Sequence, residues 1–490
     1  MKNYSVGALA RIVGSQQTTD VETPCTGVST DTRTLRRGDC FFALAGEQFD
    51  GHDYVGQALA QGAACAVVNR DVKGIDTAGV PILKVGDTVK ALGDLAREYR
   101  SAGAFKVVAI TGSVGKTTTR QIVFHVLSKK FRARQARKNF NNTIGLPLTL
   151  LNAEPEDEIM VAELGANHPG EIAYLTRIAR PDVAVVTNVH PAHLEGFGDL
   201  ATIVREKISI ADGLPDRGTL IVNADIEPVL DAARKTGKPL RTFGTSAHAD
   251  YRAENVTHAG FSSTFAIQGR EMHLPLPGPG NVENALAAWA VCDRLGATLE
   301  EFAEALNSLS GVAMRAEPLQ IGTLTVINDC YNANPASMKN ALSLLGNFRP
   351  AAGSGASRRL VFVCGEMAEL GPQTESFHAA LGAAVARAGV DLLLTIGAAP
   401  KTTARTAAET ARCELRTVCF DDTPCLCDNL ETLIEEDDII LVKGSRTARL
   451  ERVVEKLQER FARAAPHPIA ELPAAKKERQ PDSIRDRETG

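Results

Sequence analysis

An apolar run, KVVAITG (106–112), leads straight into SVGKTTT (113–119). This junction constrains the fold more than any other feature of the chain. A buried strand, a short glycine loop and a helix opening on Lys-Thr together make a phosphate cradle. Glycine lets backbone N–H groups approach phosphate oxygens, and the helix N-terminus favours negative charge. Gly112, Ser113, Val114, Gly115, Lys116, Thr117 and Thr118 are therefore candidate ATP contacts. Lys116 would reach the terminal phosphates, and the Thr117 hydroxyl would bind Mg²⁺. The usual loop has a further glycine five residues before Gly115, where this chain has Ile110. The loop is thus a shortened G-x-x-G-K-T. A chance glycine-rich turn is the alternative.

Length and composition bound the rest. At roughly 150 residues per domain, 490 residues suggest about three domains. A net charge of −5 and 5% aromatics argue against a nucleic-acid partner. No apolar run approaches the roughly 18 residues of a membrane span, and the N-terminus lacks a signal-peptide core. The ten cysteines are scattered, without C-x-x-C spacing. A cytoplasmic protein with reduced cysteines is expected.

The texture of the chain changes twice. Residues 1–105 hold short strand-like runs at 40–46, 64–69 and 80–85, and a helix over 88–100. Residues 106–318 alternate strand candidates (106–112, 158–164, 182–189, 218–224) with helical patterns, as a parallel sheet requires. Within them, 251–278 alternates polar and apolar residues, as antiparallel strands do, and a helix follows at 281–295. Residues 319–464 alternate again, with strands expected at 324–329, 359–365, 391–397, 414–420 and 438–444. Segment 351–357 reads as a flexible loop, and 465–490 as a disordered tail. The expected fold class is α/β in three domains, the middle one a phosphate-loop ATPase and the last Rossmann-like.

A phosphate loop serves kinases, GTPases, motors and ligases alike, so other residues must decide. Glu163 ends the strand MVAEL, at the edge that faces the ligand crevice of a parallel sheet. It is either a metal ligand or an exposed strand-end acid. His190 and His193 follow another strand and could equally be solvated loop residues. Lys207 sits in a helical pattern, where a solvated lysine is the bland alternative.

Taken together the motifs resemble the Mur ligase family along nearly the whole chain, to about residue 460. They include STDTRTLRRGDCFFALAGEQFDGHDY (29–54), TGSVGKTTT (111–119), NFNNTIGLPLTLL (139–151), HPAHLEGFG (190–198), GPGNVENALAA (278–288) and LVKGSRTARLE (441–451). The runs ALAGEQFDGHDY (43–54), ELGANHPGEI (163–172), NDCYNANP (328–335) and GEMAELG (365–371) are similar to its D-alanyl-D-alanine-adding branch. Val114, Phe140 and Cys330 depart from the usual pattern conservatively.

The resemblance implies a UDP-binding first domain, a central ATPase domain and a third domain for the incoming amine. It implies an amide ligase, with UDP-N-acetylmuramoyl-tripeptide and D-alanyl-D-alanine as small-molecule substrates, ATP and two Mg²⁺ ions. The ligase is expected as a monomer, with no nucleic-acid partner and no membrane span. It implies Thr117, Glu163, His193 and Lys207 at the metals, with Lys207 carbamylated, and Lys116, Lys207 and His193 as the catalytic set. His193 is favoured over His190 by its interval from Lys207. Asn281, Asn284, Arg315 and Asp329 match nucleotide contacts; the two asparagines could instead cap a helix, and Arg315 could be a hinge ion pair. Substrate contacts match Thr30, Asp31, Arg33, Phe49, Asp50, Gly51 and His52 in the first domain. Asn141, Asn142 and Thr143 match in the second, and Tyr331, Asn332, Asn334, Lys443, Ser445 and Arg446 in the third. A polar turn remains the alternative for Tyr331, Asn332 and Asn334.

Overall fold

The computed structural model describes residues 4–16, 21–46, 48–72, 74, 77, 79–136, 140–349 and 358–462. The loop expected at 351–357 and the tail expected from 465 lie outside the described residues. Three parallel-stranded sheets carry the architecture, each the heart of one lobe.

The first lobe pairs Gly27–Ser29, Asp39–Phe42, Cys65–Val68 and Ile82–Lys84, all parallel and in chain order. Asp39–Phe42 and Cys65–Val68 are buried at every position. Continuous apolar runs suit strands covered on both faces. Helix Thr88–Ala102 joins this lobe to the next. Leu92 and Leu95 are fully buried, each worth roughly 2 kcal/mol of removed apolar surface. Tyr99 donates to the Ala153 carbonyl at 2.6 Å, and Arg100 pairs with Asp182 at 2.9 Å.

The central sheet runs Tyr251–Arg252, Leu240–Gly244, Thr219–Asn223, Val183–Val186, Lys106–Thr111, Ile159–Glu163, Ala133–Gln135, all parallel. From Lys106–Thr111 the chain goes out to one edge and returns beside it. It then crosses to the other flank. Such a reversal opens a crevice at the carboxyl ends of the strands, here beside the phosphate loop. The antiparallel expectation for 251–278 holds for Glu254–Ala259, Ser262–Ile267 and Arg270–Leu274, which form a separate sheet. It fails at Tyr251–Arg252, which extends the parallel sheet through pairing with Phe243 and Gly244.

In the third lobe Glu317–Ile321 lies antiparallel at one edge of a sheet. It belongs to this sheet although it starts two residues before the expected border at 319. Leu324–Asn328, Ile439–Lys443, Leu360–Cys364, Leu392–Ile396 and Arg416–Phe420 then follow in parallel. The last strand of the chain inserts between the first and second parallel ones. Residues 329 and 443 therefore end side by side. One apolar cluster continues through all three lobes, from Leu92 through Leu175 to Met338 and Phe362.

Candidate functional site

The phosphate loop forms as the sequence predicts, between strand Lys106–Thr111 and helix Lys116–Leu127. Its two glycines are required by the backbone. Gly112 has φ of +148°, and a Cβ there would sit 2.0 Å from the Thr187 hydroxyl. Gly115 has φ of +85°, and a Cβ there would sit 2.1 Å from Asn284 Oδ1. The loop is held from outside. Val114 N donates to Asn188 Oδ1 at 2.9 Å, Thr187 donates to the Val114 carbonyl at 2.6 Å, and Ser113 Oγ donates to the His190 carbonyl at 2.9 Å. Thr187 and Asn188 went unnoticed in the sequence. Their place just past the carboxyl end of Val183–Val186 is the signal that would have found them.

Lys116 Nζ donates to the Gly112 carbonyl at 2.7 Å, folding the side chain over its own loop. Burial pushes its ammonium below the usual lysine range; Glu163 opposes that and Arg315 adds to it. Thr119 donates to Asn284 Oδ1 at 3.3 Å, and Asn284 in turn donates to Asn281 Oδ1 at 3.2 Å. Neither asparagine is the helix cap: Gly278 caps Pro279–Arg294, and Asn281 Nδ2 donates back to the Pro277 carbonyl.

Glu163 is 3% exposed, so it is not the exposed strand-end acid. Its Oε2 accepts from the Thr117 hydroxyl and its Oε1 from Asn141 Nδ2, both at 3.0 Å. Arg120 Nη1 stands 3.8 Å from Oε2. A buried carboxylate facing a hydroxyl and an amide is a set of hard oxygen donors beside a phosphate cradle, which suits Mg²⁺. Among the described residues no group of three or more His, Cys, Asp or Glu side chains forms a metal cage. Mg²⁺ asks for none, because it keeps waters and phosphate oxygens as ligands.

His193 lies beside this cleft with a left-handed φ of +54° and contacts Glu369 through Nδ1. Burial lowers its basicity and Glu369 opposes. Lys207, expected on the bland reading to be solvated, is 3% exposed. Its ammonium packs over the Phe197 ring at 5.4 Å, and its charge acts on His193 as that of Lys116 acts on it, so it stands behind the cleft wall beside the metal-side residues. Among the described residues it has no hydrogen-bond or ion-pair partner. Burial, then the Lys116 charge, pushes it down to about 7, against Glu206 and Glu171. Its neighbour Glu206 accepts from Gly170 N and Ile172 N, both at 2.7 Å, at the start of helix Glu171–Ala179.

The third lobe closes the opposite wall of a cleft of about 1670 Å³. Arg315 stacks on Tyr331 at 4.1 Å and forms no ion pair among the described residues, which removes the hinge alternative. Asp329 Oδ2 pairs with the buried Lys443 at 2.7 Å, and Lys443 also donates to the Asn332 carbonyl at 3.0 Å. Asn334 caps helix Pro335–Gly346, accepting from Ser337 N at 2.9 Å. Ser445 bonds Thr447, and Arg446 pairs with Glu451 at 3.0 Å. All of these residues except Glu451 line the cleft, as do Asn142 and Thr143.

The first-lobe candidates do not reach it. Asp31 and Arg33 pair with each other at 2.6 Å. Asp50 accepts from His52 N and bonds the His52 ring at 2.6 Å, with Arg70 on its other oxygen. Those contacts, the His52 N–H first, lower Asp50 to about 2. Gly51 packs against the Leu44 and Ala43 backbone after strand Asp39–Phe42, Thr30 directly follows the neighbouring strand Gly27–Ser29, and Phe49 is 71% exposed. These residues form a separate surface on the first lobe.

A glycine phosphate loop, a buried acid at the switch point and a facing Rossmann-like lobe define an α/β nucleotide-phosphate enzyme built of three lobes. Residues 24–100 match the model described as Mur ligase family, catalytic domain. Residues 110–292 match the Mur ligase middle domain, and 314–446 match "Mur ligase, glutamate ligase domain". The chain belongs to the Mur ligase family. It is 39% identical over 441 residues to the UDP-N-acetylmuramoyl-tripeptide–D-alanyl-D-alanine ligase of Escherichia coli, covering 88% of this chain and 93% of that one. A crystal structure of MurF from Acinetobacter baumannii superposes with a TM-score of 0.81 at 31% identity, over 94% of this chain and all of that one. The MurF ligase of Thermotoga maritima, solved in complex with ADP, gives 0.78 at 28% identity, over 89% and 98%.

Proposed function

We propose that this protein joins D-alanyl-D-alanine to UDP-N-acetylmuramoyl-tripeptide, converting ATP to ADP and phosphate and yielding the pentapeptide precursor of peptidoglycan. The observation that carries the reading is the single cleft in which the phosphate loop, Glu163 and His193 face Arg315 of the junction and Asp329 and Tyr331 of the third-lobe wall. A phosphoryl donor and an amine acceptor can meet only in such a shared space.

A carboxylate is a poor electrophile, because its charge repels an amine and its oxygen does not leave. Transfer of the ATP γ-phosphoryl to it gives an acyl phosphate, whose phosphate leaves readily. The loop N–H groups and Lys116 hold and neutralise the phosphates, and Arg315 adds charge from the junction. Asn281 and Asn284 sit at the nucleotide, with Asp329 at its ribose. Thr117, Glu163 and His193, with Lys207 as a carbamate, would hold two Mg²⁺ ions, which supply charge neutralisation on the phosphates when bound. The dipeptide amine then attacks the acyl carbon, and phosphate departs from the tetrahedral intermediate. Closure of the lobes excludes the water that would otherwise hydrolyse the acyl phosphate.

We assign residues 1–105 to the UDP end through Thr30, Asp31, Arg33 and Phe49–His52, residues 106–318 to ATP, and 319–464 to the amine. Asn141, Asn142 and Thr143 take the muramyl portion. Tyr331, Asn332, Ser445 and Arg446 take the dipeptide, with Lys443 fixing Asp329 behind them. We assign the enzyme to the cytoplasm, the compartment of a nucleotide-linked precursor and of ATP, and to a monomeric state. Phosphate release should require both UDP-MurNAc-tripeptide and D-alanyl-D-alanine. Release indifferent to the dipeptide would sink the ligase reading and favour a simple nucleotidase.

A further inference from the structure

Two segments from different lobes meet at one point of the cleft. The 190–193 segment is tied to the phosphate loop, since Ser113 Oγ donates to the His190 carbonyl and accepts from His190 N. The 366–371 segment is tied to the third lobe. Ser445 N donates to the Glu366 carbonyl at 2.8 Å, and Met367 N donates to the buried ring of His378. Between them, Glu195 N donates to the Glu369 carbonyl at 3.1 Å, and the Glu369 carboxylate meets His193 Nδ1. Both His193 and Glu369 hold left-handed φ values, +54° and +61°. Residues other than glycine keep that conformation only where their surroundings enforce it.

We propose that Glu369 is a positioning residue that orients His193 across the lobe boundary, so that the metal side of the site is completed only when the third lobe is seated. A carboxylate can only accept, so Nδ1 must carry the proton. That leaves the Nε2 lone pair as the one available ligand atom of the ring, with the ring plane fixed. The central lobe alone supplies the histidine but not its tautomer. The ligand set therefore senses whether the amine-binding lobe is in place, and phosphoryl transfer is restrained until it is. This inference rests on the reading of His193 as a metal ligand given above.

The test compares wild type, Glu369→Ala, Glu369→Gln and His193→Ala. Side-chain nitrogen NMR of the metal-free full-length enzyme at about pH 8 reads the His193 tautomer directly. Wild type should show one Nδ1–H form, Glu369→Ala a mixture, and Glu369→Gln, whose amide oxygen still accepts, mostly the wild-type form. Mn²⁺ binding with ADP should weaken about 10-fold in Glu369→Ala, and kcat should fall about 10- to 100-fold with little change in KM for ATP. Glutamine should restore most of both. An Nδ1–H form that survives Glu369→Ala, or Mn²⁺ affinity unchanged in that variant while His193→Ala loses it, overturns the inference. Mn²⁺ affinity unchanged in His193→Ala instead removes the metal-ligand reading, while the tautomer spectrum still decides what Glu369 does.

Discussion

His378 is fully buried, and its neutral ring is completely used. Nε2 accepts from Met367 N at 3.3 Å, and the ring bonds Thr403 through Nδ1 at 2.9 Å. Burial pushes it down to about 4. An unfolded imidazole titrates near 6.5. Between these values the unfolded chain binds the extra proton, so stability is complete above about pH 6.5 and falls as pH drops towards 4. The full loss is about 3 kcal/mol for this group. Urea midpoints of wild type and His378→Gln, followed from neutral pH downward, should converge; parallel curves would refute the assignment. Lys207 has the opposite kind of isolation. A buried amine with no hydrogen-bond or ion-pair partner among the described residues and a value of about 7 is substantially neutral at physiological pH. A neutral amine can add to CO₂, forming an N–C bond and releasing one proton to give a carbamate. Native mass spectrometry in bicarbonate should show the added CO₂ mass in wild type and not in Lys207→Arg. Its absence from wild type would remove the carbamate.

Helix Pro335–Gly346 shows how an element places a site. Asn334 and Ser337 form a reciprocal cap, and Pro335 occupies the first turn, where its missing N–H costs nothing. The cap aims the helix start into the cleft beside Tyr331 and Asn332. Asn334→Ala should cost about 1 kcal/mol in the third lobe's unfolding. Asn334→Asp keeps the cap and should keep turnover, measured as phosphate release. Turnover lost in the aspartate variant would mean that Asn334 touches substrate as well. The phosphate loop obeys the same logic. Its strand, glycines and helix are local features, readable from spacing, whereas the clamp by Thr187 and Asn188 comes from a strand more than seventy residues away.

At the scale of the molecule, the first-lobe cluster around Asp50 and His52 stands apart from the cleft between the other lobes. A substrate that spans both must bring them together. Adding an ATP analogue with UDP-MurNAc-tripeptide should therefore lower the radius of gyration in X-ray scattering, and an unchanged curve would speak against closure. Local chemistry was legible in the amino-acid order. Apolar runs covered on both faces announced parallel strands, glycine and Lys-Thr announced the cradle, and the family motifs supplied the lobes. Where neighbours in space are distant in sequence, the order was silent. It could not say that Glu163 and Lys207 are buried, that Lys443 is held by Asp329, or that His193 meets Glu369. The β-rich segment at 251–278 was misread at its start for the same reason, since pairing with Phe243 overrode local alternation. Backbone propensity and hydrophobic period act over a few residues, and these the chain carries in itself. Burial, basicity and cross-lobe contact depend on which surfaces pack together, and only the tertiary structure decides that.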